Sequence, residues 1–123
     1  MTNLNDLTNE VMAAYSDCNR LDNTEDRNLK YTASSYVTLP QAIAIINEAI
    51  PDGYNNFTPG VLEKFANVFG QDCKILIARE SSPCFYIRAT KTVWFNRRNI
   101  GVETLGSDEV SLEPSGLIRL WWD

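Results

Sequence analysis

The sequence contains no histidine. That absence removes Ser–His and Cys–His nucleophile pairs, the most frequent general base, and the commonest transition-metal ligand. Cysteine is scarce. Cys18, Cys73 and Cys84 stand 55 and 11 residues apart, without a CxxC pair to hold zinc. Their odd number makes no disulfide framework, and the chain is expected in a reducing compartment, the cytoplasm. The six glycines are scattered through turn-like positions, and neither GxGxxG nor GxxxxGK[ST] occurs, so no phosphate loop is supported. An Asp-rich calcium loop is also absent. Long apolar runs are missing, which leaves no segment to span a bilayer. The start, Met1-Thr2-Asn3-Leu4-Asn5-Asp6, lacks the basic and apolar stretches of a secretory signal. No catalytic constellation, cofactor or metal is expected.

What remains is an ordinary folding composition. Over 123 residues, 44% are hydrophobic and 22% charged, which fits one domain spanning 1–123. The net charge of −5 is unevenly spread: residues 1–62 carry eight acids against three bases, and the remainder balances at eight each. Within the second part, Arg79, Arg88, Lys91, Arg97 and Arg98 face only Glu80. An acidic pole and a smaller basic one follow, biasing partner choice more than fold.

The helical part is expected over about residues 3–70. Apolar residues at 4, 7, 11, 15, 18 and 21 place one side of a helix in a core. The opposite side carries Asp6, Glu10 and Asp17. Residues 22–37 read as a long loop that admits a short strand at 30–31 or 35–37. Thr38 with Gln41 forms a capping box, and Pro40 sits in the first turn, where its missing N–H does no harm. Leu39, Ile43, Ile46 and Ile50 form the apolar face of this second helix, which ends at Pro51-Asp52-Gly53. Thr58-Pro59 opens a third, short helix by the same logic, with Gly70 behind it as the residue past its end.

From about residue 72 to 123 the period is that of strands. Runs at 73–79 and 84–90 are joined by Glu80-Ser81-Ser82-Pro83, read as a hairpin turn. Further strands are expected at 92–96, 100–105, 109–112 and 117–122, separated by turns about ten residues apart. The predicted architecture is α+β, with three N-terminal helices packed on one face of a C-terminal antiparallel meander of four to six strands. If Arg79 lies opposite Cys84, Leu76, Ala78, Phe85, Ile87 and Ala89 face the helices. Ile75, Ile77, Tyr86 and Arg88 then face outward, joined by Trp94 if the strand runs straight on. An outer face so apolar calls for a cover: the 22–37 loop, a partner, or another copy. Of the adjacent pair Trp121-Trp122, one indole belongs in the core and the other at an edge or interface.

Four uses of these residues compete. Glu80, Glu103, Asp108 and Glu109, in or beside turns, admit carboxylate catalysis, although solvated turn acids are the ordinary reading. Cys84 would be a reactive thiol if Arg79 or Arg88 lowered its pKa, and otherwise packs as a small hydrophobe. The arginine cluster, interleaved with Phe85, Tyr86, Trp94 and Phe95, has nucleic-acid-binding residue types, but a chain of net charge −5 repels phosphates, so nucleic acid is disfavoured. The same Tyr, Trp and Arg side chains are those of protein interfaces. The partner-binding candidates are therefore Tyr86, Arg88, Trp94, Arg97, Arg98 and Trp122 on the sheet, with Asp6, Glu10 and Asp17 on the first helix. Those carboxylates also resemble a row of DNA phosphates, although Arg20 interrupts it. The expected function is that of a small acidic, non-enzymatic protein-binding domain, such as a phage- or mobile-element-encoded anti-defence inhibitor acting in the host cytoplasm by occluding a larger protein. One alternative is a small enzyme or nucleotide-binding domain using turn carboxylates and Arg97 or Arg98. Another is a homo-oligomeric virion subunit.

Overall fold

The structure, a computed structural model, describes residues 4–16, 34–80, 82–93 and 105–123. Its elements are α1 (Leu4–Ser16), β1 (Val37–Thr38), α2 (Leu39–Ala49), a 3₁₀ turn (Pro59–Lys64) running into α3 (Phe65–Phe69), β2 (Lys74–Glu80), β3 (Ser82–Arg88), β4 (Glu109–Leu112) and β5 (Ile118–Trp121). This is α+β with an antiparallel sheet. Because β1 lies between α1 and α2, helices and strands are interleaved rather than divided between two halves of the chain. The expected strand at 30–31, the helix beyond Ser16, the turn at 97–99 and most of the strands at 92–96 and 100–105 fall outside the described residues.

The capping box forms as its residues require. Thr38 Oγ1 accepts from the Gln41 amide at 3.3 Å, and Gln41 Oε1 accepts from the Thr38 amide at 2.9 Å, satisfying two otherwise orphan donors. The buried face of α2 is Leu39, Ala42, Ile45 and Ile46, while Ile43 is only half-buried. The expected face is thus rotated: positions 42, 45 and 46 share one side of a 3.6-residue turn, and Ile43 falls on its margin. Thr58 makes no side-chain cap, and the segment after it begins as a tighter 3₁₀ turn. Gly70 closes α3 at φ +102°, a conformation that favours glycine, with its amide donating to Ala66 O at 3.0 Å. The Phe69 carbonyl accepts from the amides of Thr90 and Lys91, tying α3 to the end of β3.

The five strands lie in the order β1-β2-β3-β5-β4. This is not the expected meander, since β5 is inserted between β3 and β4. Burial explains the choice: Ile118, Arg119 and Leu120 are all buried, so β5 takes an interior place. β4, whose Glu109 and Leu112 are exposed, takes the edge.

The β2–β3 register also departs from expectation by one residue. Ala78, not Arg79, faces Cys84, and pairing continues to Glu80 opposite Ser82. The stretch read as a turn is largely strand. Pro83 is accommodated near the start of β3, where it donates nothing and its carbonyl accepts from the Trp122 amide at 3.0 Å. A one-residue slip moves the side chains of β2 to the opposite faces, while β3 keeps the faces expected of it. Ile75, Ile77, Phe85 and Ile87 therefore join the main core with Leu7 and Val11 of α1, Ala42, Ile45 and Ile46 of α2, and Phe65 and Phe69 of α3. Leu76, Ala78, Cys84 and Tyr86 form a second buried cluster with Leu117, against which Trp121 packs.

Candidate partner-binding surface

Burial on both faces of the sheet decides which candidate residues a partner can reach. Tyr86 has none of its surface exposed; it lies in register with Leu76 on one side and Arg119 on the other. Trp122 is 1% exposed, its ring edge-on to Phe57 and Phe85, and its Nε1 donates to the Leu105 carbonyl at 3.2 Å. Neither side chain reaches the molecular surface, which corrects their assignment to a docking face. The second cluster buries Tyr86, and the aromatic core buries Trp122. Trp94, Arg97, Arg98 and Asp17 lie outside the described residues. Arg88, Asp6 and Glu10 are exposed.

Of the carboxylates and thiols considered for chemistry, Glu103 lies outside the described residues, and Asp108, Glu109 and Cys84 are occupied otherwise. Glu109 pairs with the buried Arg119 at 2.9 Å, and Asp108 Oδ2 accepts from the Asp123 amide at 2.7 Å. Cys73 and Cys84 are buried free cysteines. Burial pushes the Cys73 thiol above its ordinary value, with Asp72 adding to the rise and a backbone hydrogen bond and Lys74 opposing it. Thiolate nucleophiles need the opposite environment. Among the described residues, no three His, Cys, Asp or Glu side chains are grouped to hold a metal, and no helix is long and apolar enough to cross a membrane.

The helical side presents a different surface. Leu7 and Val11 turn α1 toward the core, and that orientation leaves Leu4 at 40% and Met12 at 41% exposure on the next strip of the helix. Positions 4, 8 and 12 succeed one another at one-turn intervals along this strip. With Asn5 and Asn9 they face Ala44 and Glu48 of α2 across an open groove of about 520 Å³. The Thr8 hydroxyl turns back to donate to the Leu4 carbonyl at 2.8 Å, so its methyl is left for the groove wall. Asp6 and Glu10, also one turn apart, lie on the opposite side of α1 from positions 4, 8 and 12 and do not line the groove. The arrangement is two exposed apolar side chains with the amide groups of Asn5 and Asn9 beside them and one carboxylate, Glu48, across the groove. It can seat apolar side chains and attract cations, and it holds no base–nucleophile pair. Leu4 had been read as part of the buried stripe; its exposure at the helix start had no signal in the spacing.

The exposed part of the sheet is smaller. The Arg88 guanidinium lies 5.2 Å from the Tyr36 ring centre and donates to the Tyr36 hydroxyl at 3.2 Å. Lys74 stands opposite Arg88 in the β2–β3 register. Tyr36 escaped the sequence reading because it lies in a stretch without periodicity.

No family model matches the chain, and neither the curated proteins nor the solved structures contain a match.

Proposed function

We propose that the chain is a small non-enzymatic protein-binding domain that docks the α1 side of its fold onto a basic patch of a larger protein. The observation that carries this reading is the exposure of Leu4 and Met12 on the same helix that presents Asp6 and Glu10. Exposed large apolar side chains gathered at one place and rimmed by polar groups, here Asn5, Asn9 and Glu48, are characteristic of docking surfaces. The carboxylates speed and orient encounter with a basic partner, while the apolar pair supplies the contact that lasts. Helices backing one face of the sheet would give this surface a rigid support. A domain of this kind acts by occlusion, and an inhibitor encoded by a phage or another mobile element, working in the host cytoplasm, is the form of the reading that best suits its size and acidity.

The test is capture from a host lysate followed by binding measurements with the purified captured protein. Asp6→Lys/Glu10→Lys and Leu4→Ala/Met12→Ala are each expected to weaken binding at least roughly tenfold, since exposed charge pairs and small apolar contacts contribute on the order of 1 kcal/mol each. The charge variant should act mainly on the association rate and the apolar variant on dissociation. A captured protein that binds both variants as tightly as wild type would show that α1 is not the docking surface.

A further inference from the structure

A second groove opens beside the β1 edge of the sheet. Its apolar surface comes from Leu39, Pro40 and Ile43 at the start of α2 and from Ala66 of α3; Glu63, Gln71 and Asp72 complete it, around a volume of about 620 Å³. Glu63 and Asp72 are exposed, and among the described residues neither enters an ion pair. The start of α2 brings the positive end of a helix to this place, equivalent to about half an elementary charge. Two whole carboxylates outweigh it, and the Thr38–Gln41 box already occupies part of it. The groove therefore selects an apolar group accompanied by cations.

The chain carries such a group at the same edge. Tyr36 is 43% exposed, Arg88 stacks over its ring, and Lys74 lies opposite Arg88. One exposed aromatic ring thus lies under one cation, with a second in the register position across from that cation. Along the sequence, Tyr36 immediately precedes β1 and Leu39 immediately follows it; in register, Thr38 pairs with Lys74, two residues beyond Asp72. β1 is two residues long and, among the described strands, pairs on one side only, with β2. The cationic aromatic group and the acidic groove therefore flank one edge that is unpaired among the described strands.

We propose that the occupant of this groove is a second copy of the chain. The Tyr36 ring of each copy enters the groove of the other, and Lys74 and Arg88 meet Glu63 and Asp72. A two-fold axis at the β1 edge makes both contacts at once, which closes the assembly at a dimer. The exposed apolar residues of α1 do not suit this groove, because Glu48 accompanies them, with no cation beside it in their groove, and would face Glu63 and Asp72. The contact is small and partly ionic, so the dimer is weak and dissociates as salt rises. It is independent of the α1 surface.

The experiment is sedimentation velocity from micromolar to millimolar concentration, at low and high salt, on wild type and two charge-reversed variants. Lys74→Glu/Arg88→Glu makes both the projecting group and the groove acidic. Glu63→Lys/Asp72→Lys makes both basic. Wild type is expected to dimerise at low salt, and each variant alone to do so at least roughly tenfold more weakly. An equimolar mixture of the two variants is expected to associate, since every contact in the mixed dimer is again complementary. A monomeric wild type at millimolar concentration overturns the proposal, as does a variant that self-associates like wild type or a mixture of folded variants that stays monomeric. If a variant does not fold, a dilution series of wild-type amide NMR spectra decides. Concentration-dependent shifts centred on residues 36–43, 63–72, 74 and 88 support the dimer. Shifts centred elsewhere, or groove shifts produced only by an added basic peptide, overturn it.

Discussion

Truncating Trp122 to alanine tests the placement of the last strand and of the paired tryptophans. The Trp122 ring centre lies 5.1 Å from that of Phe57 and 5.7 Å from that of Phe85, and its Nε1 donates to the Leu105 carbonyl at 3.2 Å. Removing a buried tryptophan side chain costs about 3–5 kcal/mol. Within that total, two edge-to-face ring contacts contribute about 0.5–1.5 kcal/mol each and the indole hydrogen bond about 1 kcal/mol. Whole domains are stable by only about 5–15 kcal/mol. For 123 residues, an unfolding entropy of about 2 cal/mol/K per residue converts such a loss into a fall in Tm of about 15 °C. Trp122→Phe keeps an aromatic ring but leaves the Leu105 carbonyl without its donor, at about 1–3 kcal/mol. Trp121, half-buried against the second cluster, is expected to cost about 1–2 kcal/mol on truncation. Urea unfolding of the three variants, with the slope held to the wild-type value, gives the ranking directly. Should Trp121→Ala prove as damaging as Trp122→Ala, the assignment of one indole to the core and the other to its margin is wrong.

Three further substitutions probe local features. Gly70→Ala is expected to cost about 2 kcal/mol or more, because a Cβ there meets Thr90 Oγ1 at 2.4 Å in a backbone already at φ +102°. Gly116→Ala, at φ +90° with open space around it, should cost about 1 kcal/mol, and thermal melts of the pair separate collision from conformation. Thr38→Ala should lower stability by about 1 kcal/mol through loss of the capping box, with Thr38→Ser recovering most of it; an unchanged melt would mean the cap contributes nothing. Cys73 holds its proton more tightly folded than unfolded, so its contribution is intact below 9.0 and is lost as pH rises through the raised folded value. Wild type should therefore lose stability more steeply than Cys73→Ala as pH rises past 9.0, and parallel losses would refute the thiol as the cause.

Local signals in the sequence were legible where a residue type has one conformational use. Thr38 with Gln41 marks the start of α2, and Gly70 marks the end of α3, because each satisfies or relaxes a backbone requirement within one turn. Non-local pairing was not legible. Ser82 and Pro83 are turn residues by composition, yet they pair with Glu80 and Arg79, and that extension moved the register by one and reversed the faces of β2. The order of β4 and β5 depends on which strand tolerates burial on both faces, and Arg119, the residue that argues most against burial in β5, is accommodated by its ion pair with Glu109. For the candidate surface, Asp6, Glu10 and Arg88 were found from charge, whereas Leu4, Met12 and Tyr36 were not. Their exposure reflects how α1 and the β1 edge meet the rest of the chain, which spacing along one element does not contain.

The two-sided burial of the sheet has a consequence for recognition. In β3, Cys84, Phe85, Tyr86 and Ile87 are all without exposed surface, and in β5 Arg119 and Leu120 are nearly so, although successive residues point to opposite faces. A sheet whose central strands are covered on both sides has no broad face to offer a partner. What it leaves is its edges and the surfaces of the packed helices. The apolar residues that remain exposed are placed accordingly: Leu4 and Met12 on α1, Tyr36 beside β1, Leu112 on β4, and Tyr54 in the turn before α3. Of these, the α1 pair is bordered by Glu48 on a helix that carries Asp6 and Glu10 on its opposite side, whereas Tyr36 lies beside Arg88, with Lys74 in the neighbouring register position. The opposite signs assign them different partners: a basic one for the helix, and an acidic groove of the kind formed by Glu63 and Asp72 for the edge. Binding at the two places need not compete, so a dimer closed at the β1 edge would present two α1 surfaces. Such a dimer would hold a partner bearing repeated basic patches more tightly than one α1 surface can.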